Sequence, residues 1–277
     1  MIDQRARAAR LAVLEKIKEY EKNGLFDRDV EEDPPTLPIK PGEVDYAHRK
    51  RSTRIQTWLA NRIAHAYFER LIHRGQLIIR AVRGIEHLHG LGGGVMLTCN
   101  HFHPFDNYAV FKAVESELPK KELYKIIREG NYTSFPGLYG YFFRHCNTLP
   151  LASHFRVLGE LSDGVATLLA RGEKILIYPE QGMWWNYKKP RPCKEGAYRF
   201  AAKSMVPTVP LFITMEDSDG LDEAGFPMQA YTVHILPPIF PDPRLSLREN
   251  CAAMKRKNEE LWKDTYEAVY GVPLCYQ

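Results

Sequence analysis

The sequence predicts an α/β fold: a central, mostly parallel or mixed sheet flanked by helices, with an N-terminal helical extension. Three observations predict it. From Gln76 onward, short apolar runs alternate with helical patterns. The 277 residues are 44% hydrophobic, enough to bury one large core. Two helical patterns precede the first strand candidate, so the chain begins with helices outside the alternating part.

The elements follow in order. Residues 4 to 23 read as a helix, with Leu11, Leu14, Ile17 and Tyr20 on a slanted face among arginines and lysines and Gly24 as its stop. The Pro-rich run from Asp33 to Pro41 reads as extended linker. Helix resumes near Thr53, where Ile55, Leu59, Ile63, Tyr67 and Leu71 step by four with Trp58 beside them, behind the basic cluster His48, Arg49, Lys50, Arg51 and Arg54. Such a basic amphipathic helix suits either the protein core or an anionic membrane surface. This divides the chain into a helix and linker over 1–52 and an α/β domain over 53–277 that opens with the amphipathic helix. Strand candidates are 77–82, 94–99, 123–127, 146–151, 174–178, 207–213 and 230–236. Helix candidates are 105–117, 155–171, 195–204 and 246–269. The acidic stretch from Glu216 to Gly225 reads as a loop, without the terminal glutamate and spacing of an EF-hand. Val206 to Pro210 carries two prolines, which remove two ladder donors, so it is expected to shape a pocket wall rather than form a fully paired central strand.

Charge narrows the partners. Lys+Arg number 38 against 34 Asp+Glu, a formal charge of +4, too balanced for a nucleic-acid partner without local clustering. The five cysteines, at 99, 146, 193, 251 and 275, form no CxxC pair, so neither a disulfide framework nor a Cys-based zinc site is expected, and a cytoplasmic location fits best. No secretory apolar region follows Met1, and no run of about 18 apolar residues is present to span a membrane.

The chemistry concentrates in TCNHFHPFDNYAV, residues 98–110, at the end of a strand candidate. Pro104 suits a first helical turn, which makes His103 a cap and Asp106 a first-turn carboxylate. His101 lies in the preceding turn, from which it can fold back towards Asp106. That carboxylate would hold one imidazole nitrogen protonated and leave the other to take a proton from a hydroxyl. The bland alternative is that His103 caps and His101 packs. Cys99 is a rival nucleophile if it is not simply buried, and His101 with His103 forms an HxH that could begin a metal-ligand set; no further ligands stand at matching spacing. Trp184, Trp185 and Tyr187 form an aromatic cluster after a strand candidate, which is more often core or loop packing. Lys188, Lys189, Arg191 and Lys194 could meet phosphates, or be solvated.

Asn100-His101 followed by Asp106 resembles the NHx4D motif of the glycerolipid acyltransferases, the lysophosphatidate (1-acylglycerol-3-phosphate) acyltransferase type. The resemblance continues in order through Ser134 to Gly137 and Gly140, Leu168 to Gly172, Ile177-Tyr-Pro-Glu180, Lys194-Glu-Gly196 and Val206 to Pro210, and covers roughly residues 76 to 240. It implies a glycerol-3-phosphate acyltransferase-like fold. The implied reaction moves a fatty acyl group from an acyl-CoA or acyl carrier protein thioester to the hydroxyl of a lysophospholipid-like acceptor. No cofactor, metal or acyl-enzyme takes part, and beside this resemblance Trp184, Trp185 and Tyr187 could line an acyl or pantetheine path. His101 and Asp106 would be catalytic, with Asn100, Arg128, Glu180, Gly182 and Lys194 binding substrate: Glu180 on acceptor hydroxyls, and Arg128 with backbone N–H groups around Gly182 on the oxyanion. Glu180 and His101 both emerge at strand carboxyl ends, where open α/β sheets bind ligands. The other function classes are a metal- or Cys-dependent hydrolase and a noncatalytic lipid-binding relative. The chain departs from the family pattern where His103 replaces a serine, Gln181-Gly182-Met183 replaces Gly-Thr-Arg, and Leu151-Ala-Ser replaces a block bearing an arginine. The catalytic half of the pattern is kept and the phosphate-binding half is altered.

Overall fold

The computed structural model describes residues 3–32 and 35–276; Asp33 and Pro34 of the expected linker lie outside the described residues. Seven strands form one sheet: β1 (Ile78–Arg83), β2 (Val95–Thr98), β3 (Leu123–Arg128), β4 (Thr148–Leu151), β5 (Lys174–Ile177), β6 (Thr208–Leu221) and β7 (Pro227–Ile235). Their spatial order is β1-β7-β6-β2-β5-β3-β4, and every pairing is parallel except the β6–β7 hairpin. The mixed sheet expected from the sequence is therefore present, with helices on both faces.

Alternation along the central strands fills the two faces. Val95 and Leu97 of β2 and Leu176 of β5 join one core, while Met96, Ile175 and Ile177 join the other. The first core is covered by α2 (Arg51–His73), α3 (Asp106–Val114) and α5 (Gly137–His145), the second by α6 (Phe155–Ala170), α7 (Gly196–Ser204) and α8 (Leu247–Tyr270). Between β3 and α5 lies the short α4 (Glu129–Ser134). Neither α4 nor α5 was expected: their sequence is broken by glycines and Pro136, so local propensity is poor and tertiary packing of Phe142 decides.

Two expectations about β6 are corrected. Glu216 to Leu221 are not loop but the outer half of β6, held by antiparallel pairing of Glu216 with Ala230, Asp217 with Gln229 and Leu221 with Pro227. The turn is shorter, and the Asp222 carboxylate accepts the Ala224 and Phe226 N–H groups to close it. The proline-flanked segment Thr208–Pro210 is a buried central strand beside β2 rather than a pocket wall. Its prolines fall where the ladder tolerates them. Pro207 precedes the strand and uses only its carbonyl, towards Met96 N–H, and the β7 pairing starts one residue after Pro210, at Leu211.

The stripe on α2 splits. A step of four residues drifts by about 40° around a helix, so the row from Ile55 to Leu71 winds from one side to the other. Its later members, Tyr67 and Leu71, pack on the core, as do Thr57, Ala60, Ala64 and Phe68. Its earlier members stay outside, with Ile55 66% and Trp58 58% exposed and Leu59 and Ile63 also open to solvent.

The first helix, α1 (Gln4–Lys22), packs Ile17 with Val30 against Trp184, joined by Tyr20, Phe26 and Tyr187. Further on, the Pro-rich stretch is docked over α4 and α6: Ile39 N–H donates to Glu129 and Gly42 N–H to Glu160.

Candidate active site

The register of β2 on β5 pairs Thr98 with Ile177. His101 and Glu180 each lie three residues beyond that pair, so the two parallel strands deliver them to the same edge of the sheet. His101 N–H donates to Glu180 Oε2 at 3.1 Å.

Asp106 is fully buried at the start of α3. Its Oδ2 lies 2.8 Å from His101 Nδ1 and accepts the N–H groups of Phe102 at 3.1 Å and His103 at 3.2 Å. Its Oδ1 accepts the Tyr178 hydroxyl at 2.6 Å. A buried carboxylate this fully bonded is both tolerated and fixed in direction. The helix begins at Asp106, so Pro104 sits in the turn before it rather than in its first turn.

Tyr178 was not singled out by sequence reasoning. Its ring stacks on the His101 ring, centroids 4.1 Å apart and planes at 23°. Burial first, then the neighbouring Asp106, raises its hydroxyl well above the ordinary tyrosine range, so it stays a donor. The available signal was its place directly after β5, one residue beyond the partner of Thr98.

The expected cap is corrected, because the helix is capped at Phe105 with no side-chain cap bond; His103 instead holds the turn before it, its Nδ1 accepting Phe105 N–H at 3.2 Å and its ring packing on Phe105, and burial pushes its pKa down to about 4. Cys99 is fully buried, and burial with Asp106 and Glu180 nearby raises its thiol well above its ordinary range, which disfavours a thiolate nucleophile. Among the described residues, no group of three or more His, Cys, Asp or Glu is placed to hold a metal ion.

The residues expected to bind substrate are placed near the pair but are already engaged. Asn100 does not face a crevice. It is buried, and its amide continues the sheet beyond β2 by donating to Ile213 O at 3.0 Å and accepting Ile213 N–H at 2.8 Å, as a peptide group would. Glu180 is buried with both oxygens committed: Oε1 accepts Arg191 N–H, and Oε2 accepts Arg191 Nη2 at 3.0 Å as well as His101 N–H. A hydroxyl-binding Glu180 is thus replaced by a buried ion pair that anchors the His101 loop. Gly182 donates its N–H to Glu180 O, which removes it as an oxyanion donor. Arg128 forms a two-pronged pair with Asp29, at 2.9 and 2.6 Å, and Lys194 lies 3.9 Å from Asp27. Trp184 and Trp185 are buried packing against α1 and Phe226, not an open acyl path. Lys189 pairs with Glu21, and Lys188 sits over the Tyr270 ring.

The sheet order defines an α/β protein, and the buried Asp106 carboxylate bonded to His101 at the carboxyl end of a central strand is a pair chemically able to take a proton from a hydroxyl. Seven chains of known structure match. One is the crystal structure of the 1-acyl-sn-glycerophosphate (LPA) acyltransferase, PlsC, from Thermotoga maritima, 17% identical over 83% of this chain and 87% of that chain, with a TM-score of 0.55; at that identity the likeness is one of fold. The family model described as Acyltransferase matches residues 79–214, so the chain carries an acyltransferase domain, the domain of an O-acyltransferase. No curated protein matches the sequence.

Proposed function

We propose that this enzyme transfers a fatty acyl group from a thioester, on coenzyme A or acyl carrier protein, to the hydroxyl of a lysophospholipid-like acceptor. The observation that carries this is the His101–Asp106 pair at 2.8 Å on a family-typical strand end. With Nδ1 tied to Asp106, the neutral imidazole presents Nε2 as the proton acceptor. In this reading the acceptor oxygen attacks the thioester carbonyl as Nε2 takes its proton, and Asp106 stabilises the imidazolium. The tetrahedral intermediate collapses, the C–S bond breaks, and the departing sulfur recovers the proton from His101. The products are an ester and a free thiol. A positioned base supplies roughly 10²–10⁴-fold, and orientation must supply the rest. The test is acyl transfer from palmitoyl-CoA and palmitoyl-acyl carrier protein to a panel of lyso-lipids and simple alcohols, with products resolved by mass. Turnover that needed zinc, or failed on every acceptor while the thioester was hydrolysed, would favour a hydrolase. Absence of any turnover would favour a lipid-binding relative.

We further propose that it works at the cytoplasmic face of a membrane. Among the described residues, no helix is long and apolar enough to cross one. The support is the exposed apolar face of α2, Ile55, Trp58, Leu59 and Ile63, with Arg62 over the Trp58 ring. A helix packed on the core along one side and apolar on the other is suited to an interface. Arg49, Lys50, Arg51 and Arg54 at its start would each add about 1 kcal/mol near anionic lipid. Binding to anionic vesicles should weaken with salt and when those four residues become glutamine. Equal binding of the wild type and the variant to neutral and anionic vesicles would reject the electrostatic contribution.

A further inference from the structure

The segment just after α1 is firmly docked against the connection that follows β5. Trp184 Nε1 donates to Arg28 O at 2.9 Å, and the buried Arg191 donates through Nη1 to Phe26 O at 3.3 Å. The Phe26 ring stacks on Trp184 with centroids 5.8 Å apart, and Val30 is 3% exposed. This segment carries Asp27 and Asp29. A Cβ added at Gly182 would lie 2.7 Å from Asp29 Oδ1 and 3.4 Å from Arg128 Nη2, so the absence of a side chain there leaves room for the pair.

Arg191 joins this place to the reacting pair, because it bonds both Gly182 O and Glu180, and Glu180 holds His101 N–H. Arg128, Arg191 and Lys194 around it each face a carboxylate of the chain: Asp29, Glu180 and Asp27. Asp106 contributes one more negative charge behind His101.

We propose that Asp29 is a specificity-determining residue. By holding Arg128 it selects an acyl acceptor whose headgroup carries no net charge, an uncharged or zwitterionic lyso-lipid, over one bearing a phosphate monoester. The inference rests on the acyl-transfer reading above. A phosphate monoester carries about −1.5 to −2 charge at neutral pH and seeks the planar two-pronged geometry of arginine. Asp29 already occupies that fork, and the backbone just before it is pinned, at Arg28 by Trp184 and at Phe26 by Arg191, so a monoester must displace the carboxylate or accept its repulsion. A zwitterion brings a cation of its own for the displaced carboxylate, and an uncharged headgroup displaces nothing.

The experiment compares kcat/KM for lysophosphatidate, lysophosphatidylcholine and monoacylglycerol, with palmitoyl-CoA and palmitoyl-acyl carrier protein as donors, in the full chain. The wild type should favour the two net-neutral acceptors. Asp29→Asn should raise the ratio of lysophosphatidate to lysophosphatidylcholine by roughly tenfold, because one close negative charge is removed at a half-exposed site. Arg128→Gln, which leaves Asp29 unopposed, should lower that ratio, and it provides the second test if Asp29→Asn does not fold by circular dichroism. A wild-type preference for lysophosphatidate, or variants that scale all acceptors equally, overturns the role of Asp29 and leaves acyl transfer standing. No transfer to any acceptor by the folded wild type overturns both.

Discussion

The turn between β2 and α3 and the connection between β5 and α7 stand side by side at one sheet edge, yet they are held in different ways. In the first, three of the four groups that bond Asp106 come from within five residues of it: His101, Phe102 and His103. In the second, the order of Glu180 to Arg191 depends on remote chain: Arg191 reaches Phe26, Trp184 reaches Arg28, and Gly182 makes room for Asp29. A motif that satisfies itself locally can be read from spacing. One that recruits its partners from the far end of the chain cannot.

The largest expected effect separates the two directly. His101→Ala should abolish acyl transfer, a loss of about 10²–10⁴-fold, with Asp106→Asn nearly as severe and His103→Ala keeping substantial rate. Rates on a thioester donor, with folding checked by melting, decide it. An active His101→Ala beside an inactive His103→Ala would reverse the assignment of the base.

Breaking the second region should cost stability first. Arg191 and Glu180 are almost wholly buried, so Arg191→Met leaves an unpaired buried carboxylate, at a cost of about 3–5 kcal/mol in denaturant unfolding. Adding Glu180→Leu to that variant should recover part of the loss, because no charge then remains to be desolvated. If the single variant is as stable as wild type, Glu180 is not held by this pair and becomes available to substrate again.

Much of the fold was legible. All seven strands and the long helices were marked by apolar runs and periodicity, because burial on both faces of a parallel sheet forces such runs. What escaped was set by distant contacts: α4 and α5, the outer half of β6 stabilised by β7, and the split of the α2 stripe. The site divides likewise. His101 and Asp106 were visible together, and the bonded geometry now links them. Asn100, Glu180 and Gly182 were found as positions, but the structure engages them with Ile213, Arg191 and backbone, which no spacing announces. Tyr178 was missed because its partner lies 72 residues away.

Tyr178 is also where the two regions touch, so a conservative change there sharpens the comparison. Tyr178→Phe keeps the ring on His101 and removes the single bond to Asp106 Oδ1 that comes from outside the first turn. A hydrogen bond to a charged group is worth about 1.5–3 kcal/mol, and the three remaining donors should limit the loss in kcat to roughly tenfold, with KM little altered. A change confined to KM would mean that the hydroxyl meets substrate instead.

The smallest effect concerns His103 in the same turn, and it is read in stability rather than rate. Burial lowers its folded pKa to about 4, against about 6.5 for an unperturbed histidine, so between those values the unfolded chain binds the proton and the folded chain does not. Its contribution is therefore fully present above about pH 6.5 and is lost as pH falls through 4. His234, buried beside Thr214 and also pushed down to about 4, acts in the same window and direction. Replacing His103 with asparagine keeps an acceptor for Phe105 N–H and removes the titrating ring. Denaturant midpoints between pH 7 and 4 should fall less steeply in His103→Asn than in the wild type, with His234 and the other histidines that burial lowers, His48, His65 and His145, supplying the remaining slope. Parallel slopes in the two proteins would show that His103 already takes up its proton in the folded chain, and that the first turn is more open to water than its packing on Phe105 implies.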